Sequence, residues 1–563
     1  MLEDTAVSKF DSIDMETIMK EHKSSSEFTD SFSRDFPQLD SLVDGVSLTK
    51  EKDTPFVGDT TISGLVHQMP RSAIKQLPVF GVTVNGSKNN LKSLLSKSFL
   101  RDKIFNENTF GKGVVSTLQL SAEQSIAHGY SSVMAATGSV FGEFGVNMRM
   151  IHYKDLAVES GIQDNSESSF HYVRANTLKS RLQKIYNKAL DNPDSTWNPE
   201  ALKELLDQEP RSYSYSDTLT DPRISAALSN PTSGYQLVTK YEVGQGGQFI
   251  TFCHQVPDKP LRVVDNKSKF GYPKVQMLVI DHAPLTPFGL SRVRLASPHQ
   301  NLANAYLQNI AATFILNSRP PVLQKGKFNK PVVLKQGVKW ETNDPNGDVT
   351  IKSMDNGSLS QFVNIMNYIS SQIQNIMGSS NGSSDGGFSK TSPGVKMQKD
   401  FIDLSTNQLT NILENFVRQY ALVALDTYIC EQEGEEDIVV DDETKNAINR
   451  LTPGAVGDDN SIHINWGEFY DSIKTWSVDI ELSIGKDELD EKRRADLQDT
   501  LTVLVQNAEV LGPETVEKVK KIIDMLLEQS APEAGQLVNN QQPQLPAAQA
   551  VPQPEVTPQQ PAL

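Results

Sequence analysis

Residues 297–318 read SPHQNLANAYLQNIAATFILNS, a stretch with a helix-start signal, a regular apolar repeat and a clear end. Ser297 is the expected N-cap, and Pro298 occupies the first helical position, where its missing N–H costs nothing. The apolar residues that recur every four positions are Leu302, Tyr306, Ile310 and Phe314. Arg319-Pro320-Pro321 follows, and proline cannot continue a helix. The stretch therefore predicts one long helix over Ser297–Ser318.

A second and a third helix are predicted after this one. Residues 359–377 read LSQFVNIMNYISSQIQNIM and carry an apolar face at helical spacing, made of Phe362, Ile365, Ile369, Ile373 and Ile376. Between the two helices, residues 319–358 alternate like strands and contain turn signals at Gly337 and Asp344–Gly347. A long amphipathic helix is predicted over Val395–Cys430. The order is helix, small β segment, helix, loop, long helix.

The β segment is an island of positive charge in an acidic chain. Its lysines are Lys325, Lys327, Lys330, Lys335 and Lys339. Two interpretations stay open: a solvated basic face, or a docking surface for a partner protein or for DNA phosphates.

The loop Gly378–Gly394 reads GSSNGSSDGGFSKTSPG and separates two strongly predicted helices. Seventeen residues dominated by glycine and serine are uncommon between helices of a compact domain, and such loops are usually functional or disordered. Phe388 and Lys390 are its only large or basic members. A solvent-exposed hinge and a binding loop both fit this composition.

The rest of the chain divides by composition and periodicity. Residues 1–60 are rich in serine and acidic residues and are interpreted as a mobile acidic arm with one short helix. Residues 61–296 and 395–486 are mixed, residues 487–530 predict two helices, and the Pro/Gln-rich residues 531–563 predict disorder.

Several elements of the mixed regions are predicted individually. Helices are expected over Asn90–Lys103 and Leu118–Thr137, and strands over Gly142–His152, Val238–Val256 and Val275–Ile280. Gly244–Gly247 is interpreted as a hairpin turn. Residues 462–484 are expected to form paired strands.

The bulk composition bounds the function only loosely. The formal net charge is −17, and the isoelectric point is near 5.1. An acidic chain is a poor candidate for simply gripping nucleic acid, whereas an acidic surface suits a channel through which DNA slides. Cys253 and Cys430 form no metal or disulfide pattern, which fits a reducing cytoplasm. The first residues do not resemble a signal peptide, and no apolar run is long enough to span a bilayer.

No catalytic or metal-binding motif stands out. HExxH, GxSxG and phosphate-binding GxxxxGK[ST] patterns are absent from the sequence, and the nine histidines are scattered singly. The acidic clusters Glu431–Glu436 and Asp441–Glu443 are better explained as solvated loops than as a divalent-cation site. We therefore predict no catalytic residue, no metal and no cofactor, and expect a protein that is not an enzyme.

The ordered series of elements resembles the core of the tailed-bacteriophage portal family. In that family an α+β wing leads into a stem helix, a small α/β clip, a second stem helix, a tunnel loop, a long wing helix and a helical crown. By this resemblance the wing is 61–296 and 395–486, the stem helices are 297–318 and 359–377, the clip is 319–358, the tunnel loop is 378–394 and the crown is 487–530. The stretch His282–Ser291, HAPLTPFGLS, is similar to the segment before the portal stem, and Trp476–Leu504 is similar to the strand and helix that lead into the crown.

The resemblance implies a mechanical function. About twelve copies would form a cyclic ring around double-stranded DNA at one capsid vertex of a virion assembled in the host cytoplasm, with no membrane involved. The partners would be the major capsid and scaffolding proteins, the large terminase subunit, and then tail or adaptor proteins. The clip lysines would serve docking. The loop residues facing DNA would be Ser379, Ser380, Asn381, Gly382, Ser383, Ser384, Asp385, Gly386, Gly387, Phe388, Ser389 and Lys390.

Two alternatives remain open from the sequence. One is another phage structural protein, such as a tail adaptor or a baseplate component. The other is an enzyme whose site is assembled from dispersed residues.

Overall fold

The computed structural model describes residues 10–44, 59–74, 77–105, 113–140, 143–192, 195–213, 232–318, 322–325, 348–351, 357–378 and 392–481. The crown helices predicted over 487–530 and the predicted disorder over 531–563 lie outside these ranges. The described part is a mixed helix-and-strand structure in which every strand pair is antiparallel. This agrees with the predicted α+β class.

The helices in chain order are α1 Met15–Ser33, α2 Phe36–Val43, α3 Thr61–Ala73, α4 Leu91–Phe99 with a π-helical extension Leu100–Ile104, α5 Val114–His128, α6 Lys179–Asp191, α7 Pro199–Leu206, α8 Arg292–Ser318, α9 Gly357–Met377, α10 Ser392–Cys430, α11 Asp442–Leu451 and α12 Trp466–Asp471. The strands are β1 Val79–Val84, β2 Ser131–Val140, β3 Glu143–Ile151, β4 Leu156–Val158, β5 Phe170–Leu178, β6 Arg211–Tyr213, β7 Thr232–Glu242, β8 Gln248–Phe252, β9 Arg262–Asp265, β10 Val275–Leu278, β11 Val322–Lys325, β12 Asp348–Ile351, β13 Glu435–Val439, β14 Ser461–Asn465 and β15 Trp476–Glu481. Short 3₁₀ turns lie at Tyr153–Asp155 and Asn165–Glu167.

The main core forms around the second half of α10. Leu413, Val417, Tyr420 and Leu425 are completely or almost completely buried there. The sheet β10-β2-β3 and the pair β1-β15 pack against this helix. The six-stranded sheet runs β4-β5-β7-β8-β9, and β6 also pairs with β7. A second, smaller core lies between this sheet and the helices α6 and α7.

The interpretation of the first 60 residues as a mobile arm with one short helix is wrong for residues 10–44. Helix α1 has 19 residues, and α2 follows it directly. The buried stripe of α1 is Met15, Ile18, His22, Ser25, Thr29 and Ser33. Most of these side chains are polar, and this hid the helical period. Thr29 shows why they can be buried: its hydroxyl donates to the Ser25 carbonyl at 3.0 Å and accepts from Val158 N at 3.0 Å.

Three other element predictions needed correction. The helix predicted over Leu118–Thr137 ends at His128, because Gly129 adopts a left-handed φ of 90° and the chain continues as a strand. The strands within residues 462–484 do not pair with each other: β14 pairs with β13, and β15 pairs with β1. Asp441 is not part of a solvated loop, contrary to the prediction for Asp441–Glu443. It is the N-cap of α11, and its carboxylate forms an ion pair with Arg101 at 2.8 Å.

The hairpin turn predicted at Gly244–Gly247 is confirmed. It connects β7 to β8, and Gly244 and Gly246 have φ values of 109° and 73°. Such φ values favour glycine because it has no Cβ.

Candidate functional site

Helices α8 and α9 form an antiparallel pair. The start of α8 meets the end of α9, since Arg292 Nη1 donates to the Met377 carbonyl at 2.8 Å. Farther along, the rings of Tyr306 and Phe362 meet edge to face with centroids 6.0 Å apart. The strands β11 and β12 lie between the two helices in sequence and pair with each other.

The start of α8 differs from its prediction. The helix begins at Arg292, so Ser297 is not its N-cap and Pro298 lies inside it. Proline has no N–H to donate to the carbonyl of Arg294, four residues earlier. The Ser297 hydroxyl donates to that carbonyl instead, at 3.0 Å. This local replacement explains how the helix continues through the proline.

Ser291 precedes the helix and organises its first turn. Its hydroxyl accepts from Arg294 N at 2.8 Å and donates to the Ala127 carbonyl. Phe288, which is 1% exposed, packs against Phe28, Phe32 and Tyr130. The segment His282–Ser291 therefore connects α8 to the main core.

A close backbone crossing joins this segment to the end of α5. A Cβ on Gly289 would lie 2.6 Å from the Asp281 carbonyl oxygen and 2.7 Å from Val279 Cγ1, and it would also overlap the carbonyl oxygen of Gly129. Only glycine fits such contacts without movement of the neighbouring chain.

Arg292 holds three parts of the chain together. Its Nε and Nη2 donate to Asp281 Oδ2 and Oδ1 at 2.5 and 3.0 Å, and its Nη1 donates to the Met377 carbonyl. The planar guanidinium matches the two carboxylate oxygens. Gly378 follows with a φ of 80° and ends α9. The root of the loop predicted over Gly378–Gly394 is thus positioned by an ion pair.

The two paired helices are buried near this root and expose apolar side chains elsewhere. Ala303, Ile369, Ile373 and Met377 are at most 3% exposed. Seven of the twelve exposed large apolar residues in the described ranges lie in or just before the pair: Leu285, Leu290, Leu295, Leu302, Val363, Ile365 and Tyr368. Leu295 and Leu302 are seven residues apart and share one helix face, and so do Ile365 and Tyr368 at a spacing of three. We call Leu295, Leu302, Ile365 and Tyr368 the apolar face; Val363 is two residues from Ile365 and therefore lies on the other side of α9.

Concentrated apolar exposure of this kind marks interaction sites more often than chance scatter does. The predicted pattern on Ser297–Ser318 is only partly a core pattern, because Leu302 is 48% exposed while Tyr306 and Ile310 are half-buried. On α9 the predicted face is buried at Ile369 and Ile373 but exposed at Ile365.

The predicted loop and docking residues lie mostly outside the described residues. Loop residues Ser379–Lys390 are outside the described ranges, and so are four of the five lysines: Lys327, Lys330, Lys335 and Lys339. Lys325 is the last residue of β11, where its backbone is opposite Asp348. The third helix begins at Ser392 rather than Val395, so the last three residues of the predicted loop are helical. The helix predicted over Leu359–Met377 is confirmed, with two more residues at its start.

Sequence reasoning missed Arg292 and Asp281. The signal available in the sequence was an aspartate three residues after the buried strand β10 and an arginine eleven residues later, at a helix start. Only the folded chain brings the Met377 carbonyl to the same guanidinium.

The part of the chain that the structure describes also bears on metal binding and on membrane insertion. No group of three or more histidine, cysteine, aspartate or glutamate residues there could hold a metal ion. Both cysteines are free and buried. No described helix is long and apolar enough to cross a membrane.

Comparison with models of known protein families gives no match, and comparison with curated proteins gives none either.

Proposed function

We propose that this protein is the portal subunit of a tailed bacteriophage, a binding and assembly protein without a catalytic role. The supporting observation is the antiparallel pair α8–α9. It has a small two-stranded sheet between its helices in sequence, an anchored end at Arg292, and a 39-residue helix that follows the loop. This is the order of elements that the sequence resemblance implies.

The apolar face supports assembly into a ring. Leu302 and Tyr368 are 48% and 65% exposed, and burying the part that is still exposed contributes roughly 1 kcal/mol each. In a cyclic ring each subunit presents one side of its helix pair to the neighbouring subunit. About twelve copies would enclose a channel for double-stranded DNA. The capsid and scaffolding proteins would hold the ring at one vertex, and the terminase and then the tail or adaptor proteins would dock on the clip.

The loop residues Ser379–Lys390 are the proposed DNA contacts. The Arg292–Asp281 pair would give the loop a rigid root, while glycine and serine would let it follow a moving duplex. Lys390 would supply a phosphate contact. ATP hydrolysis would belong to the separate motor.

Mass measurement of the purified protein, together with negative-stain images, tests the assembly. A closed ring of about twelve subunits with a central hole is expected. A monomer or a dimer at micromolar concentration would rule the portal function out. An open or smaller assembly would instead favour a tail adaptor or a baseplate component.

Deletion of Ser379–Gly387 tests the role of the loop. We expect the ring to form normally, while DNA packaging or retention falls. Substituting Lys325, Lys327, Lys330, Lys335 and Lys339 by glutamine should weaken partner docking, most clearly at low salt. Unchanged packaging after the deletion would contradict the DNA-contact assignment.

A further inference from the structure

A cleft with a volume of about 940 Å³ lies between the first half of α1 and the six-stranded sheet. Its walls come from α1, from β5 and from the segment that follows β8. The lining includes Met19, His22, Ser26, Arg174, His254 and Pro257. It also contains the carboxylates of Asp14, Glu16 and Asp258 and the ammonium groups of Lys20 and Lys23. The cleft is far in sequence from the paired helices and from the proposed DNA loop.

Arg174 is the unusual group in this cleft. Its Nη1 donates to the Lys154 carbonyl at 3.0 Å, and its Nη2 donates to the Ser26 hydroxyl. No carboxylate of the described residues lies within ion-pair distance of it. A guanidinium has five N–H donors, so three remain after these two bonds.

Two lysines in this part of the structure do have carboxylate partners. Lys240 binds Glu21 and Glu242 at 2.9 and 3.2 Å, and Lys20 binds Glu16 at 2.6 Å. In a chain with a formal charge of −17, carboxylate partners are plentiful. The half-buried Arg174 has no such partner among the described residues, so its remaining N–H donors are available to a ligand.

Two histidine rings lie beside the guanidinium, with centroids 5.0 Å apart. His22 is 3% exposed at the bottom of the cleft, and His254 is exposed at its mouth. Burial first, and then the charge of Arg174, lower the pKa of both rings, to about 3 for His22. Burial disfavours a charge of either sign, whereas the positive charge of Arg174 disfavours a second cation and attracts an anion.

We infer that this cleft binds a small molecule that carries a phosphate or carboxylate group. The oxyanion would accept from Arg174 and from His254, with His22 beneath it. The thioether of Met19 and the ring of Pro257 would contact an apolar part of the ligand, because the volume exceeds that of a single inorganic anion. Arginine with histidine is a donor set suited to planar or tetrahedral oxyanions.

The test is equilibrium binding to the full chain, at constant ionic strength, with two ligands in separate arms: inorganic phosphate and butyrate. Saturable binding of either one supports the inference and tells which oxyanion is preferred. Arg174→Gln should weaken that binding about tenfold or more, the usual loss for a charge-assisted bond. Arg181→Gln, which removes an exposed arginine of α6, should leave the binding unchanged.

A second variant keeps the inference testable if Arg174→Gln fails to fold. His254→Gln changes an exposed side chain, so the fold should persist while binding weakens. Two results would overturn the inference. One is the absence of saturable binding of either ligand up to about 10 mM, a concentration that corresponds to a binding free energy of about −3 kcal/mol. The other is equal binding by the wild type and both cleft variants.

Discussion

Arg294 of helix α8 binds the carboxylate of Asp35, the residue directly before α2. The same guanidinium donates to the Phe32 carbonyl at 3.3 Å and lies 5.3 Å from the centre of the Phe32 ring. Residues 10–44 are thus attached to the first turn of the paired helices. The position of the N-terminal helices and the position of the pair depend on each other.

Replacing Arg294 with methionine should lower the free energy of unfolding by about 1 kcal/mol. The estimate is modest because both side chains are more than a third exposed, at 37% and 36%, so water screens the pair. Urea unfolding measures the change. Lys20→Met, at an ion pair whose side chains are 74% and 78% exposed, is the matched control and should leave the free energy of unfolding unchanged. Equal losses in both variants would contradict an anchoring role for Arg294.

Alanine at Gly129 should destabilise the protein strongly, by about 3 kcal/mol or more. Gly129 has a left-handed φ of 90°, and a Cβ there would overlap the carbonyl of Gly289. Thermal unfolding measures the loss. Gly64→Ala is the control, since nothing lies within 4 Å of the added Cβ and the residue is inside α3. That substitution should raise stability by about 0.5–1 kcal/mol, because alanine favours helix more than glycine does.

Acid should release the N-terminal helix through protonation of His22. Burial, followed by the nearby Arg174 charge, holds the pKa of His22 at about 3, below its ordinary value of 6.5. The pKa of His22 is lower in the folded protein than in the unfolded chain. Neutral His22 therefore contributes fully to the free energy of unfolding above pH 6.5, and this contribution is lost as the pH falls from 6.5 toward 3. In this pH range the free energy of unfolding falls by up to about 1.4 kcal/mol per pH unit because of His22.

The His22→Gln variant isolates this effect. Other buried histidines, such as His171 with a pKa of about 4, remain in it, so the difference between wild type and variant reports His22 alone. Stability measured by urea unfolding at pH 7, 6 and 5 should fall less steeply in the variant. Parallel curves for the two proteins would show that His22 does not control the acid response.

An acidic residue on the apolar face should prevent assembly. Tyr368→Asp would place a charge on a side chain that is 65% exposed in the single subunit and buried in the proposed ring. An unpaired charge in an interface costs several kcal/mol, so the ring should dissociate into folded subunits. Light scattering measures the mass, and circular dichroism checks the fold. Leu190→Asp, on α6 and 58% exposed, is the control and should assemble normally. If both variants form the same rings, the apolar face is not the subunit interface.

Local signals predicted part of this structure well. The helix over Leu359–Met377 follows from its apolar period, and the turn at Gly244–Gly247 follows from its glycines. The sequence predicts a start of α8 at Ser297, because a serine before a proline is a strong local helix-start signal. The true start depends on Ser291, whose hydroxyl reaches the Ala127 carbonyl, a contact that no local pattern contains.

The portal interpretation depends on the sequence order from the helix pair to the long helix, and that order was readable because helical periodicity and turn residues act over a few positions. The tertiary structure alone decided three features. Strand β15 (Trp476–Glu481) pairs with β1 (Val79–Val84), α1 packs on the six-stranded sheet through a mostly polar stripe, and Arg292 joins Asp281 to the end of α9. All three features depend on contacts between segments that are far apart in the sequence. The free energy of such contacts depends on which surfaces the complete fold brings together.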